Sequence, residues 1–340
     1  MPSRPSALRV TPMNPPNQLF YRLEHVEPAY QLRYVWSGWP SDETFSYTSL
    51  DLLNNVSPLW EKDGIRLLEA QWSPSLCQVL FSTLPNVSPI FLAQRAKGRL
   101  DKALRDSGHS LSWSRKVAVR SVGKNNSQIV QQYIRQQVAS ANFVDPRFGQ
   151  QMRRYTFQDP QVVHAEPTLV TRGRYWYDLH LVLVNADGFV NTHESTLEMI
   201  LAGVKGVGAE QSIAISNVSI MPDHLHLALR PAPDLSPKEV ASLFLNGLVP
   251  YSRGNCMWRE TYYAGTFGIY ALKGFVKGSA SQRTCQGNQG ASTGRRETDS
   301  PNDTRSLESF IGHLSSRFGK SRTGLTFLAK WPPSSVIACE

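Results

Sequence analysis

The sequence predicts an α+β protein built from two tandem copies of one unit, each an antiparallel sheet with helices packed on it. Three observations lead there. Landmark residues recur in one order at a nearly fixed offset; alternating and 3.6-residue apolar patterns succeed each other in the same sequence within each copy; and turn or cap residues fall at matching points. Ala29–Trp36 aligns with Trp176–Leu183, pairing Tyr30 with Tyr177 at an offset of 147, and Thr48–Leu52 meets Ser195–Met199 at the same offset. Pro74 and Leu84–Pro89 meet Pro222 and Ala232–Pro237 at 148, and Trp113 and Gly123 meet Trp258 and Gly268 at 145. Small loop insertions and deletions account for the drift.

Each unit opens on a strand (29–36, 176–184), where apolar and polar residues alternate. A helix follows (48–60, 195–205), with apolar residues spaced near 3.6. The next segment (65–82, 211–230) reads as one strand broken near its middle by Pro74 or Pro222. A Ser-Pro pair then starts a second helix (88–105, 236–247), since serine caps a helix and proline suits its first turn. A third strand (112–122, 257–267) ends at Gly123 or Gly268, before a last helix (126–140) with a poorer counterpart at 270–282. The domain plan is a Pro-rich segment (1–26), a first unit (27–145), a linker (146–171), a second unit (172–283), a low-complexity linker (284–305) that reads as disordered, and a C-terminal helix and tail (306–340). Leu307, Phe310, Ile311, Leu314 and Phe318 give that last helix its apolar face.

Composition narrows the function classes. Thirty-six Lys and Arg against 27 Asp and Glu give a net charge of +9, which fits a polyanionic partner such as nucleic acid. No apolar run approaches the roughly 20 residues that span a bilayer, and residues 1–18 lack the apolar core of a secretory signal, so no membrane role is expected. Cys77, Cys256, Cys285 and Cys339 form no CxxC pair, which speaks for a reducing compartment and against a zinc knuckle.

Two constellations could carry chemistry. In Ile220–Leu229 a strand pattern sets His224 and His226 on one face, a ready pair of metal ligands, although such a triplet also occurs on solvated strand faces. In 126–140, Tyr133 and Gln137 are helical neighbours, while Ile129, Val130, Ile134 and Val138 form the side expected to bury. Taken alone, such a tyrosine most often simply packs.

Together these stretches resemble a known family. Met221-Pro222-Asp223-His224-Leu225-His226 resembles the histidine strand of the single-tyrosine HUH transposases, which include the insertion-sequence 200/605 type and the REP-associated tyrosine transposases. Gly123 followed by Val130, Tyr133-Ile134 and Gln137 is similar to that family's nucleophile helix, Trp258–Gly268 to the strand before it, and Ala96–Leu100 to its lysine-glycine helix. The resemblance implies two ferredoxin-like (RRM-like) domains. It implies Tyr133 as the nucleophile that leaves a 5′-phosphotyrosine, and His224, His226 and Gln137 as ligands of a divalent metal, Mg or Mn. The implied substrate is single-stranded DNA with a hairpin, and the implied compartment is a bacterial-type cytoplasm. Arg95, Lys97, Arg99, Lys102, Arg115, Lys116 and Arg120 are the candidate DNA contacts, and Trp113, Trp258, Tyr262 and Tyr263 could stack on bases or pack in the core.

The chain departs from the family in one respect. The first unit carries Leu76 and Gln78 where the second has its histidines, and the second carries Gly278 where the first has Tyr133, although Gln282 matches Gln137. Each unit has lost what the other retains. The expectation is one composite site per chain, formed across the seam of a covalent pseudo-dimer that leaves room for further self-association. A silent or domesticated hairpin-binding protein and a replication-initiator or relaxase-type nickase remain as alternatives.

Overall fold

The computed structural model describes residues 19–41, 50–109, 111–141, 143, 145–187, 189–252 and 257–268. In chain order these form β1 (Glu27–Gln31), β2 (Arg33–Pro40), α1 (Leu50–Lys62), β3 (Ile65–Ser73), β4 (Leu76–Thr83), α2 (Pro89–Asp106), β5 (Trp113–Val122) and α3 (Ser127–Ser140). Then come α4 (Pro146–Arg154), β6 (Phe157–Gln158), β7 (Thr168–Val170), β8 (Gly173–Trp176), β9 (Leu179–Asn185), α5 (Glu194–Glu210), β10 (Ala214–Ile220), β11 (His224–Arg230), α6 (Pro237–Gly247) and β12 (Trp258–Thr266). The expected helix at 270–282, the low-complexity segment and the C-terminal helix lie outside the described residues, as do Cys256, Cys285, Cys339, Gly278 and Gln282.

Each unit is a ferredoxin-like β-α-β-β-α-β fold. The central strands run β3-β4-β2-β5 in one sheet and β12-β9-β11-β10 in the other, the same order read from opposite ends. Both Ser-Pro signals start helices as expected. Ser88 Oγ accepts the Phe91 N–H at the start of α2, and Ser236 makes a reciprocal capping box with Glu239 at the start of α6. The segments read as single broken strands are hairpins instead. β3 pairs antiparallel with β4, and β10 with β11. Pro74 and Pro222 sit in the reversals, where a residue without an N–H removes no ladder bond.

The opening strands also differ from expectation. Each is two strands in two sheets. β1 pairs with β12 of the second unit, and after Leu32 the chain enters the first unit's sheet as β2. In the same way β8 pairs with β5 of the first unit, and after Tyr177 and Asp178 the chain returns to the second sheet as β9. The units therefore exchange edge strands, and Tyr34 meets Tyr177 at a ring distance of 6.2 Å within one continuous core.

At the centre of this exchange the ends of β5 and β12 cross. Gly123 N donates to Gly268 O at 2.9 Å, Gly268 N to Asn125 O at 3.0 Å, and Thr266 Oγ1 to Val122 O at 2.7 Å. A Cβ on Gly123 would collide with the Thr266 carbonyl oxygen, and Gly268 adopts φ +125°, so the crossing requires both glycines.

The stretch between the units does more than link them. It contributes α4 and the edge strands β6 and β7, which join different sheets. Arg230 ties it down. Its guanidinium donates to the Asp178 carboxylate at 2.9 Å and to the carbonyls of Val163 and His164, while His164 Nδ1 meets the same carboxylate at 2.8 Å. Among the described residues no helix is long and apolar enough to cross a membrane.

Candidate active site

The second unit's sheet carries α5 and α6 on one face, over Leu181, Leu183, Leu225 and Leu227. Its opposite face bears His180, His226 and Ala228 and is covered by α3 of the first unit. Val130 and Ile134 of α3 pack against Ala228 and Phe267, with Tyr133 beside them. Burying these apolar residues, each worth roughly 1.5–3 kcal/mol, holds the helix across the seam. Ile129, expected on the buried side, is 47% exposed, because α3 presents only the stripe Val130, Ile134 and Val138 to the sheet.

The histidine strand starts from a braced turn. Asn185 donates through Nδ2 to the Pro222 carbonyl at 3.1 Å, and Asn191 to the Met221 carbonyl at 3.1 Å, while Met221 N donates to His224 O at 2.8 Å. From this turn four side chains run in a line. Asp223 Oδ1 lies 2.6 Å from His224 Nδ1, His224 Nε2 lies 2.9 Å from His226 Nε2, and His226 Nδ1 lies 3.1 Å from His180 Nε2. Ionised Asp223 only accepts, so His224 donates to it from Nδ1.

Burial pushes the pKa of His226 well below the usual histidine value, and the neighbouring charges of His224 and then His180 push it the same way. Burial, with the His224 charge second, lowers His180 to about 3. Both rings are therefore neutral near pH 7, the state that metal ligation needs. The Asp223 carboxyl feels burial as its largest influence, which raises its pKa, but the His224 charge and hydrogen bond outweigh this and lower it.

Tyr133 stands edge-on to both inner rings, 5.7 Å from the His226 centroid and 5.9 Å from that of His180, with its hydroxyl shielded from solvent. Gln137 is held back on its own helix, where Nε2 donates to the Tyr133 carbonyl at 3.3 Å. So the structure brings Tyr133, His224 and His226 together, and turns the Gln137 amide along α3.

The residues fit a divalent ion in part. The two Nε2 atoms point at each other 2.9 Å apart. Ligands at about 2.1 Å meeting at an octahedral right angle lie about 3.0 Å apart, and a tetrahedral angle would part them by about 3.4 Å. Among the described residues no group of three or more His, Cys, Asp and Glu is arranged to hold a metal.

No family model matches the chain. No curated protein matches it either. Among solved structures, a candidate transposase from Deinococcus radiodurans matches at 17% identity over 32% of this chain and 92% of its own, with a TM-score of 0.26. A candidate transcriptional repressor of the glycine cleavage system matches at 9% identity over 70% of this chain and 98% of its own, with a TM-score of 0.19. An unknown protein from Galdieria sulphuraria matches at 8% identity over 71% of this chain and 99% of its own, with a TM-score of 0.17. These likenesses are too loose to transfer anything to this chain.

The strand ladders equate the two units residue by residue. In β2, Tyr34 faces Phe81 and Ser121, and in β9, Leu179 faces Leu229 and Thr266. This sets Leu76 and Gln78 on His224 and His226, as the sequence offset does, but equates Tyr30 with Tyr175 rather than Tyr177. The slip of two residues keeps every side chain on its own face. It also sets Val35 on His180. All three histidines of the line are thus replaced in the first unit, where Gln78 Nε2 donates instead to Ser37 Oγ at 3.1 Å.

His180 escapes a reading of the sequence alone, because a lone histidine in an apolar strand reads as core. The basic candidates divide. Arg99 makes two hydrogen bonds to Asp63, at 3.0 and 3.1 Å, with Arg95 3.8 Å from the same carboxylate. Lys102 pairs with Asp106 at 2.9 Å, and Lys97 Nζ donates to Ser114 O at 3.0 Å. Arg120 lies over the Trp176 ring, 3.7 Å from its centroid. Arg115 and Lys116 are exposed on β5. Of the aromatic candidates, Trp258, Tyr262 and Tyr263 are buried in the core, and half-buried Trp113 packs edge-on to Trp36.

Proposed function

We propose that this chain cuts and rejoins single-stranded DNA, as the resemblance to single-tyrosine HUH transposases implies, at one composite site per chain. The observation that carries the proposal is the seating of Tyr133, from the first unit, against the histidine line of the second. A helix that merely closed its own unit's core would leave its tyrosine on its own sheet. The first unit's sheet has no histidine line, and Leu76 and Gln78 stand in its place.

His224 and His226 would hold a Mg or Mn ion, with the Gln137 oxygen as third donor once its amide turns from the Tyr133 carbonyl. Such an ion supplies Lewis-acid polarisation of the phosphate and neutralises charge in the transition state. Tyr133 Oη attacks phosphorus and the bond to the 3′ oxygen breaks. The phenolic proton is lost and the leaving oxygen gains one. The products are a 5′-phosphotyrosine and a free 3′-hydroxyl. The ester linkage is conserved, so attack by another 3′-hydroxyl rejoins the strand without ATP. Asp223 and His180 keep the two histidines turned toward each other.

Incubation with hairpin-bearing single strands and Mn should give a covalent DNA–protein adduct that is absent in Tyr133→Phe. His224→Ala and Tyr133→Phe chains mixed together should not complement, whereas strong rescue would mean that sites form between chains. The shielded Tyr133 hydroxyl favours a second reading, a hairpin-binding protein without chemistry. Binding with no adduct would decide for that reading.

A further inference from the structure

Beside the histidines, β10 turns two polar side chains onto the same face. Ser219 lies opposite His226 and Asn217 opposite Ala228, and directly paired residues share a face of the sheet. Both lie on the face that α3 covers, and α3 packs on β10 as well as on β11. Both are 0% exposed. Ser219 Oγ and both side-chain polar atoms of Asn217 have no hydrogen-bond partner among the described residues. Ser216, one residue away at the strand's bulge, is satisfied normally, donating from Oγ to Ala228 O at 3.2 Å.

Buried amides and hydroxyls are nearly always paired, and an unpaired one weakens a fold that alanine or leucine would serve better. Such a penalty is tolerated where the groups meet a ligand. The first unit repeats the ladder down to its irregularity. Its register shifts between Leu67 and Glu69, as β10 shifts between Ile215 and Asn217, so Glu69 and Gln71 take the places of Asn217 and Ser219. An exposed glutamate stands there, a group that a phosphate would avoid. Gln71 Oε1 is likewise buried without a partner among the described residues, so what sets the second unit apart is the neutral, fully buried Asn217 beside the histidines, where the first unit has an exposed acid.

We propose that Asn217 and Ser219 form a phosphate-binding strip beside the histidine pair. The Asn217 amide N–H and the Ser219 hydroxyl donate to non-bridging oxygens of the DNA backbone next to the cut, which aligns the strand without adding charge. This deepens the function proposed above and rests on it.

The test uses the full chain and two shape-conserving variants, Ser219→Ala and Asn217→Leu. Their melting temperatures should stay level or rise by a few degrees (about 1–4 °C), because an unsatisfied group leaves the interior. Adduct formation is read on a single-stranded oligonucleotide pool with a fixed hairpin and randomised flanks, and should slow by at least about tenfold in each variant. A methylphosphonate at the phosphate next to the cut in a selected oligonucleotide should then cost the wild-type chain more than either variant. Wild-type adduct rates in both variants would overturn the assignment. So would a fall in melting temperature of more than about 5 °C in both, which would mean that the groups are bonded within the fold. If Asn217→Leu does not fold, Ser219→Ala, which removes one oxygen, decides alone. A wild-type chain that forms no adduct on the pool refutes the proposed function, whereas an active wild type with equally active variants refutes only the strip.

Discussion

Val35 on β2 holds the place that His180 holds on β9, and the pair offers a direct experiment on the histidine line. His180 touches no other polar group of that line than His226, so any influence on a metal passes through the His226 ring. His180→Val should lower Mn affinity by about 10–100-fold in a calorimetric titration, with His180→Asn falling less, since its amide can still bond Nδ1. Equal affinities in all three proteins would make His180 a packing residue. The same burial has a consequence for pH. His180 and His226 have folded pKa values below the unfolded value of about 6.5, so between the two values the unfolded chain binds more protons. Their contribution to stability is complete above about pH 6.5 and is lost as the pH falls, by up to about 1.4 kcal/mol per pH unit for each ring. For His180 the loss continues to about pH 3. Urea titrations of the chelated protein from pH 7 to 4.5 should show this decline, and a flat profile would mean that water reaches the rings. At this scale His224, His226 and Tyr133 were legible because their spacing is local. His180 was not, since a lone histidine in an apolar strand reads as core, and neither were Asn217 and Ser219, since a polar residue on a strand reads as solvent-facing until the covering helix is known.

Helices and strands obeyed local chemistry where a single residue type decides the outcome. The Ser-Pro caps of α2 and α6 formed as read, with Ser88 and Ser236 each accepting an N–H of the first turn. The prolines at 74 and 222 marked interruptions correctly but did not reveal their kind, since proline suits a kinked edge strand and a hairpin reversal alike. Pairing partners are a tertiary property, and only the ladders separate these cases. Glycines show the same division, and comparing two of them gives a prediction. Gly123 faces the Thr266 backbone where the units cross, so Gly123→Ala must displace one chain from the other. It should destabilise the protein by about 2 kcal/mol or more and disturb the start of α3. Gly98, inside α2, has open space around its missing Cβ, and Gly98→Ala should stabilise by about 0.5–1 kcal/mol through helix propensity. Urea midpoints of the two variants should therefore move in opposite directions, and a shared direction would contradict the close crossing.

For the molecule as a whole, the repeat pointed to two units, and the complementary placement of histidines and tyrosine gave the expectation that they share one site. What could not be read was that they are laced together by exchanged strands. An extended apolar run such as 27–40 does not reveal that it changes sheets at Leu32, because backbone pairing leaves no mark on side-chain alternation. The lacing predicts how the chain behaves when cut. A break at residue 142, after α3, leaves the first fragment with β1 but without its partner β12, and with α3 but without the sheet it covers. The second fragment keeps β8 without β5 and exposes His180, His226 and Ala228. Each fragment alone then carries an open edge strand and an uncovered apolar face, the features that drive aggregation. Expressed separately, the fragments should be poorly soluble or unfolded by circular dichroism. Expressed together, they should elute as one 1:1 complex with Tyr133 again beside the histidines and adduct formation restored. Two independently folded, monomeric fragments would instead mean that the units are autonomous domains that merely touch, and the composite site would lose its structural basis.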